Sequence, residues 1–308
     1  MPTVRAFFAK VGAGFAKENA TTLEPGASAR FNRIGGRSRQ ALFARYMVGR
    51  TAIKETLCYP ADVVIEFVSY PLAFMGYFFF VLAMAAHGGA IGGDAAGASV
   101  SALITYFSIA WMLRMIVDQG VDGDVAAEVQ SGDVALALVR PLPLAGFFFA
   151  RFVGLGLARL VYYGVPAWLL LMLLFGDEIR VEPARLIWFL PYAVIAFRMA
   201  FEIQFAIGLV SFFTFVNQQV SWSFDMLVRL ASGLIVPLSL FPPVVALWLE
   251  ALPFQYIYYR PIQVLLEPAT PSALLSGLAI GAAWTLALHL ANRGVLALAL
   301  RRHVIYGS

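Results

Sequence analysis

Six apolar runs alternate with polar breaks along the chain, at about 63–86, 100–117, 147–175, 186–215, 226–241 and 274–291. A helix needs about 20 residues to cross roughly 30 Å of hydrocarbon. The pattern therefore predicts an all-α, polytopic membrane protein with six transmembrane helices. Ahead of the first run, residues 37–57 have helical periodicity. Leu42, Tyr46, Ile53 and Leu57 recur near one face, and Arg37, Arg39, Arg45, Arg50 and Lys54 supply positive charge. Such a basic amphipathic stretch reads as an elbow helix lying on the cytoplasmic leaflet, with a solvated helix as the alternative. Residues 1–36 alternate apolar and basic positions with Gly and Pro. They form a cytoplasmic N-terminal extension, either an interfacial helix or disordered, ahead of a transmembrane domain over 37–308.

Two breaks in the pattern are unusual. From Phe241 to Pro271 the chain is too apolar for a free loop and too interrupted for a span, with Pro242, Pro243, Pro253, Pro261, Pro268 and Pro271 among interfacial aromatics such as Trp248, Tyr256, Tyr258 and Tyr259. This predicts two short re-entrant helices on the outer side, or a structured external loop. The other break is Glu128 to Leu144, the one long polar interruption in the middle of the chain. Gly132 permits a turn, and Asp133 can cap the helical turn after it. Ala135, Leu136, Leu138 and Val139 form that amphipathic turn, Arg140 carries a charge, and Pro141 with Pro143 stops the helix. A short capped helix between two spans lies across a membrane face, where it can meet a partner.

Composition narrows the class. The chain of 308 residues is 61% hydrophobic and 13% charged, with mean hydropathy +0.79, against roughly half and a quarter in soluble domains. No stretch is long and polar enough for a separate soluble domain, and no Gly-x-x-x-x-Gly-Lys-Ser/Thr phosphate loop occurs. Cys58 is the single cysteine, so an internal disulfide and a cysteine metal cluster are excluded. His87, His289 and His303 are scattered. The net charge of +4 reflects basic residues near span ends, not nucleic-acid binding. Arg5, Lys10 and Lys17 interrupt the N-terminus too early for a secretory signal, though its basic, acid-free start has a transit-like character. Asn19-Ala20-Thr21 matches a glycosylation acceptor that the orientation below puts in the cytosol.

Ten of the 22 Lys and Arg residues precede the first run, and Arg293, Arg301 and Arg302 end the last. With an even number of spans, both termini are cytoplasmic. The loop 120–145 then faces the cytoplasm too, although it carries Asp122, Asp124, Glu128 and Asp133 against Arg140. Such an acidic inner loop points to a protein partner. Within the spans, three pairs stand four residues apart: Arg114 with Asp118, Arg198 with Glu202, and Asp225 with Arg229. Each shares a helix face and lowers the cost of burying charge. Arg198 and Glu202 fall deepest, and either structural neutralisation or a proton or substrate role suits them. Glu66, Arg151 and Arg159 lie nearer span ends, where they can snorkel. Gly277 and Gly281 permit close packing in the last span.

Three stretches resemble the membrane subunits of type-2 ATP-binding-cassette exporters (ABC-2 permeases), in the branch that includes daunorubicin-resistance-type permeases. They are Tyr59-Pro-Ala-Asp62; Glu128-x-x-Ser131-Gly132-Asp133 with Leu138-Val-Arg140-Pro141-Leu142; and Ile235-Val-Pro-Leu-Ser-Leu-Phe-Pro242 with Leu252-Pro-Phe254 and Arg260-Pro261. The likeness covers about residues 40–308. It departs from the family where Val134-Ala135-Leu136-Ala137 is purely apolar and an acidic residue is usual. The resemblance implies six spans, a cytoplasmic coupling helix, pairing of two permeases, identical or related, and a separate ATPase subunit holding ATP and Mg, with no cofactor on this chain. By position, Glu128, Ser131, Gly132, Asp133, Arg140 and Pro141 are then the ATPase-coupling residues. It also implies a multi-pass protein of the bacterial inner membrane that exports a hydrophobic or amphipathic compound and is not itself an enzyme.

Three rivals come from other classes. A membrane-embedded enzyme needs converging His, Asp, Glu or Cys at one membrane face, and the pattern supplies none. A proton-coupled secondary transporter is the alternative that Arg198 and Glu202 suit, but matching pairs of broken helices are missing. A plain membrane anchor leaves the polar central loop without a purpose.

Overall fold

A computed structural model describes residues 36–58, 100–132 and 142–306 apart from 178, 180 and 215–217, with residues 65, 69, 72, 74–79 and 83 of the intervening segment. Regular structure among the described residues is helical throughout: α1 (Gly36–Cys58), α2 (Val100–Val117), α3 (Val121–Ser131), α4 (Leu144–Arg159), α5 (Val165–Phe175), α6 (Leu186–Leu209), α7 (Gln218–Ala231), α8 (Pro243–Ala251), α9 (Tyr259–Leu266) and α10 (Pro271–Tyr306). The chain divides into two units, Met1–Met47 and Val48–Ser308. In the first, α1 leaves Leu42, Phe43 and Tyr46 exposed. The rest of the fold belongs to the second.

Among the described residues, four candidate spans are long and apolar enough to cross a membrane: Ser101–Ser131, Leu144–Phe175, Pro183–Phe212 and Pro271–Arg301. They correspond to the runs expected at 100–117, 147–175, 186–215 and 274–291. Two differ in extent. The second run does not end at 117, because the helix resumes after a three-residue break and continues as α3. Asp122, Asp124 and Glu128 are thus helical, not in a loop. The last helix has 36 residues and, at about 1.5 Å each, is about 54 Å long. The run at 63–86 lies mainly outside the described residues, where its ten described positions are helical. Phe74 among them is 1% exposed and packs edge-on against Phe175, with ring centroids 5.6 Å apart.

The fifth run needs correction. No single helix covers 226–241. Instead α7 spans 14 residues, about 21 Å, and stops at Ser232-Gly233. Gly233 has φ +87, a conformation that favours glycine, and its carbonyl accepts the Tyr106 hydroxyl at 2.7 Å. Pro237 then bars a return to helix. Beyond it come the two short helices anticipated before the last span. In α9, Tyr259, Ile262, Val264 and Leu265 are buried, whereas α8 is exposed along Val244, Leu247 and Trp248.

Helix α6 is the pillar around which the others are placed. The Phe148, Phe149 and Phe152 rings of α4 pack on Phe205, Phe201 and Phe197, at 6.2, 5.0 and 4.5 Å between centroids. Residue numbers rise on one helix as they fall on the other, so α4 runs antiparallel to α6. By contrast, Tyr192 bonds the Leu274 carbonyl and Asn292 bonds Glu202, so α10 runs parallel to α6. The α2–α3 rod is also parallel, because Val117 and Val121 meet Gln204 while Val125 meets Gly208. Two parallel helices separated in sequence by 213–270 require that segment to return across the bundle. Helix α7 begins that return.

Small residues make the tight contacts. A Cβ on Gly154 of α4 would run into the Gly49 backbone of α1, so α1 and α4 cross at near-backbone distance. Gly281 of α10 receives the Tyr256 ring and Gly277 the Tyr192 hydroxyl, so the glycine pair foreseen in the last span seats aromatic side chains. Between α4 and α5, residues Leu160–Gly164 form a π-helical turn. Pro166 lacks the N–H that an unbroken α-helix would use there, and its ring crowds the preceding turn.

Candidate functional site

The coupling candidates fall at the end of α3. Ser131 donates to the Glu128 carbonyl at 3.2 Å, and Gly132, with φ +77, closes the helix through its N–H to the Val129 carbonyl. This is the turn expected at Gly132. Asp133, Arg140 and Pro141 lie outside the described residues. The helix leading to them is firmly anchored. Val121, Val125 and Ala126 bury against α6, where Gly208 leaves room for Val125 and the Asp122 backbone.

Charge anchors the same helix from another side. Arg151 of α4 pairs with Asp124 of α3 at 3.0 Å and with Glu55 of α1 at 3.2 Å. Arg151, expected to snorkel, is instead a bridge joining three helices. Arg159 likewise turns inward, donating to the Asp118 carbonyl at 2.6 Å. Glu66 lies outside the described residues.

The three intramembrane pairs all form. Arg114 meets Asp118 at 3.3 Å and Arg229 meets Asp225 at 2.6 Å. Arg229 also reaches Asp118 at 2.7 Å, so two of the pairs merge into one four-member cluster between α2 and α7. The Arg114 guanidinium lies 4.8 Å from the centre of the Trp111 ring. A small cleft opens beside the cluster, lined by Asp118, Gln204, Asp225, Arg229 and Tyr258.

The third pair, expected to be the deepest, is part of a larger cluster than the sequence suggested. Glu202 is 1% exposed. One carboxylate oxygen meets both Arg198 and the Nδ1 of His289, the latter at 2.9 Å, and the other accepts from Asn292 at 2.7 Å. The Arg198 guanidinium stacks over Phe149 and Phe201, at 4.3 and 5.1 Å. His289 and Asn292, missed in the sequence, belong to this cluster. Their three-residue spacing, which puts both on one helix face, was the available signal. Glu202 and Gln204 stand two residues apart on α6, so they face opposite sides, one toward α10 and one toward the α2–α3 joint.

That joint was also missed. It is built by Gln119, Arg159 and Gln204, each bonded to backbone at the break between α2 and α3. In an apolar medium every backbone group at a helix break needs such a partner.

Ion pairs between helices, a helix break closed by side chains and an α3 packed on α6 make up a largely apolar helical bundle. Residues 71–307 match the family described as ABC-2 family transporter protein. Neither curated proteins nor solved structures give a match to the chain. The matched region takes in every candidate span and both charge clusters, and on that ground the chain belongs to the ABC-2 transporter family, as a multi-pass membrane transport subunit.

Proposed function

We propose that this chain is the permease subunit of an ABC exporter, moving a hydrophobic or amphipathic compound across a bacterial inner membrane. It has six crossings and cytoplasmic termini, pairs with a second permease, identical or related, and docks a separate ATPase that holds ATP and Mg. No cofactor resides on this chain. Glu128, Ser131, Gly132, Asp133, Arg140 and Pro141 form the docking contact, and α1 lies on the cytoplasmic leaflet as the elbow. The parallel course of α2–α3, α6 and α10 supports the crossing count.

The observation that carries the reading is the anchoring of α3. A partner pushing at Gly132 moves the spans only if the helix behind it is stiffly held, and α3 is held by α6 on one side and by Arg151 on the other. ATP-driven closure of two ATPases then acts through differential contacts with this arm. A proton-coupled secondary transporter is less well supported, since Arg198, His289 and Asn292 already occupy both oxygens of Glu202.

Affinity capture of the tagged subunit in mild detergent, with mass spectrometry of the co-purifying chains, tests the proposal. Recovery of an ATPase, lost when residues 128–142 are scrambled, supports it. Well-folded subunit that brings down no ATPase overturns it. In the reconstituted complex, Gly132→Trp and Arg140→Glu are expected to abolish stimulated ATP hydrolysis while leaving membrane insertion intact. Gly132 tolerates no side chain without strain at φ +77.

A further inference from the structure

The break between α2 and α3 leaves no described carbonyl of the ending helix unmatched. A helix end orphans its last four carbonyls. Here Gln119 Nε2 donates to those of Met115 and Ile116, at 2.9 and 2.8 Å. Gln204 Nε2 donates to that of Val117 at 2.6 Å, and Arg159 to that of Asp118 at 2.6 Å. Gln204 works in both directions, because its Oε1 accepts the Val121 N–H, the first of α3, at 3.2 Å. A carbonyl on one side and an N–H on the other fix which way the amide points. One side chain on α6 therefore holds both halves of an interrupted helix.

Gly120, between them, has φ +70, and a Cβ there would meet nothing within 4 Å. The glycine is needed for conformation, not for space. The joint also borders the cleft of Asp118, Asp225, Arg229 and Tyr258, so one side of it is not packed solid. By contrast, α3 is tightly seated on α6, where a Cβ on Gly208 would approach Val125 Cβ to 2.7 Å. Gly120 supplies the change of backbone direction at the joint, while α3 is tied to α6 at its head by Gln204 and a turn later at Gly208.

We infer that Gln204 is the positioning residue of the coupling arm: it ties α3 to α6, so that the two move as one body about a joint at Gly120 in the second span. Displacement at Gly132 then passes to α6 and, through Glu202 with His289 and Asn292, to α10. This inference rests on the permease reading for the source of the push but not for the joint itself.

Distances between spin labels on the purified permease, in a Cys58→Ser background, test it without any ATPase. One pair, Ala127→Cys with Thr214→Cys, reports α3 against the 3-10 turn Val210–Phe212 that follows α6. A reference pair, Val194→Cys with Leu286→Cys, reports α6 against α10. Gln204→Met removes both bonds and keeps the volume. It is expected to broaden the first distance distribution about twofold and leave the reference pair as it was. An unchanged first pair, or equal broadening of both, overturns the inference. If Gln204→Met does not fold, Gln204→Asn decides, since it keeps the amide but draws it back by one methylene from both Val121 and Val117. A broadened first pair supports the tie, and a wild-type distribution overturns it. Because the permease alone is measured, a negative result here leaves the transporter reading standing, and failure to capture an ATPase leaves this result standing.

Discussion

A carboxylate inside an apolar bundle needs polar partners to replace the water it gives up, and Glu202 has them in Arg198, His289 and Asn292. Removing the charge without its partners exposes the cost. Glu202→Gln leaves the Arg198 guanidinium without its counter-charge, stacked on Phe149 and Phe201. Breaking such a pair costs about 3–5 kcal/mol when both members are buried, and the partial exposure of Arg198 puts this case near about 3 kcal/mol. Replacing both, as Arg198→Met with Glu202→Leu, is expected to cost less, because no lone charge remains. Thermal unfolding of the detergent-purified variants decides this, and a double variant less stable than the single one removes the neutralising role. The i,i+4 spacing made each pair legible in the sequence. The bonds from Arg229 to Asp118 and from His289 to Glu202 were not legible, since they join helices more than 80 residues apart.

At the scale of elements, apolar runs located the helices well and their ends poorly. The run ending at Val117 was cut at Asp118 and Gly120 because charge and glycine read as a loop. In fact Gln204 and Arg159, from distant helices, complete the backbone there and let the helix resume. Conversely, the apolar stretch 232–241 looked like span, but Gly233 and Pro237 set a turn that hydropathy alone does not register. The α1–α4 crossing gives a direct test of element packing. Gly154→Ala puts a methyl against the Gly49 backbone and is expected to cost about 1–3 kcal/mol by overpacking. Gly294→Ala, where a Cβ meets nothing within 4 Å, is expected to be neutral or slightly stabilising. A melt in which both behave alike removes the tight crossing. The same loss of α1 contact is expected to weaken the link from Glu55 to Arg151, readable as a faster amide exchange along residues 48–58.

At the scale of the whole molecule, the number of crossings turns on one short helix. If α7 and the residues after it cross, the chain has six crossings with the run at 63–86, and both ends lie on one side. If they do not, there are five, and the ends lie on opposite sides. Helix α7, about 21 Å long, is too short alone for roughly 30 Å of hydrocarbon. Yet α6 and α10 run parallel, with Tyr192 beside Leu274 and Glu202 beside Asn292, and parallel neighbours demand a return between them. The bonds from Tyr106 to Gly233 and from the Tyr259 N–H to the Ser232 carbonyl show how such a return is finished without helix: neighbouring groups satisfy the exposed backbone. The positive ends of the chain, with ten basic residues before the first run and Arg293, Arg301 and Arg302 at the last, favour the same count. A fluorescent protein fused after Ser308 is therefore expected to be bright, as is one fused before Met1, while alkaline phosphatase fused after Asp177 is expected to be active. Active phosphatase after Ser308 would place the two ends on opposite sides, take α7 out of the membrane crossing, and reduce the count to five.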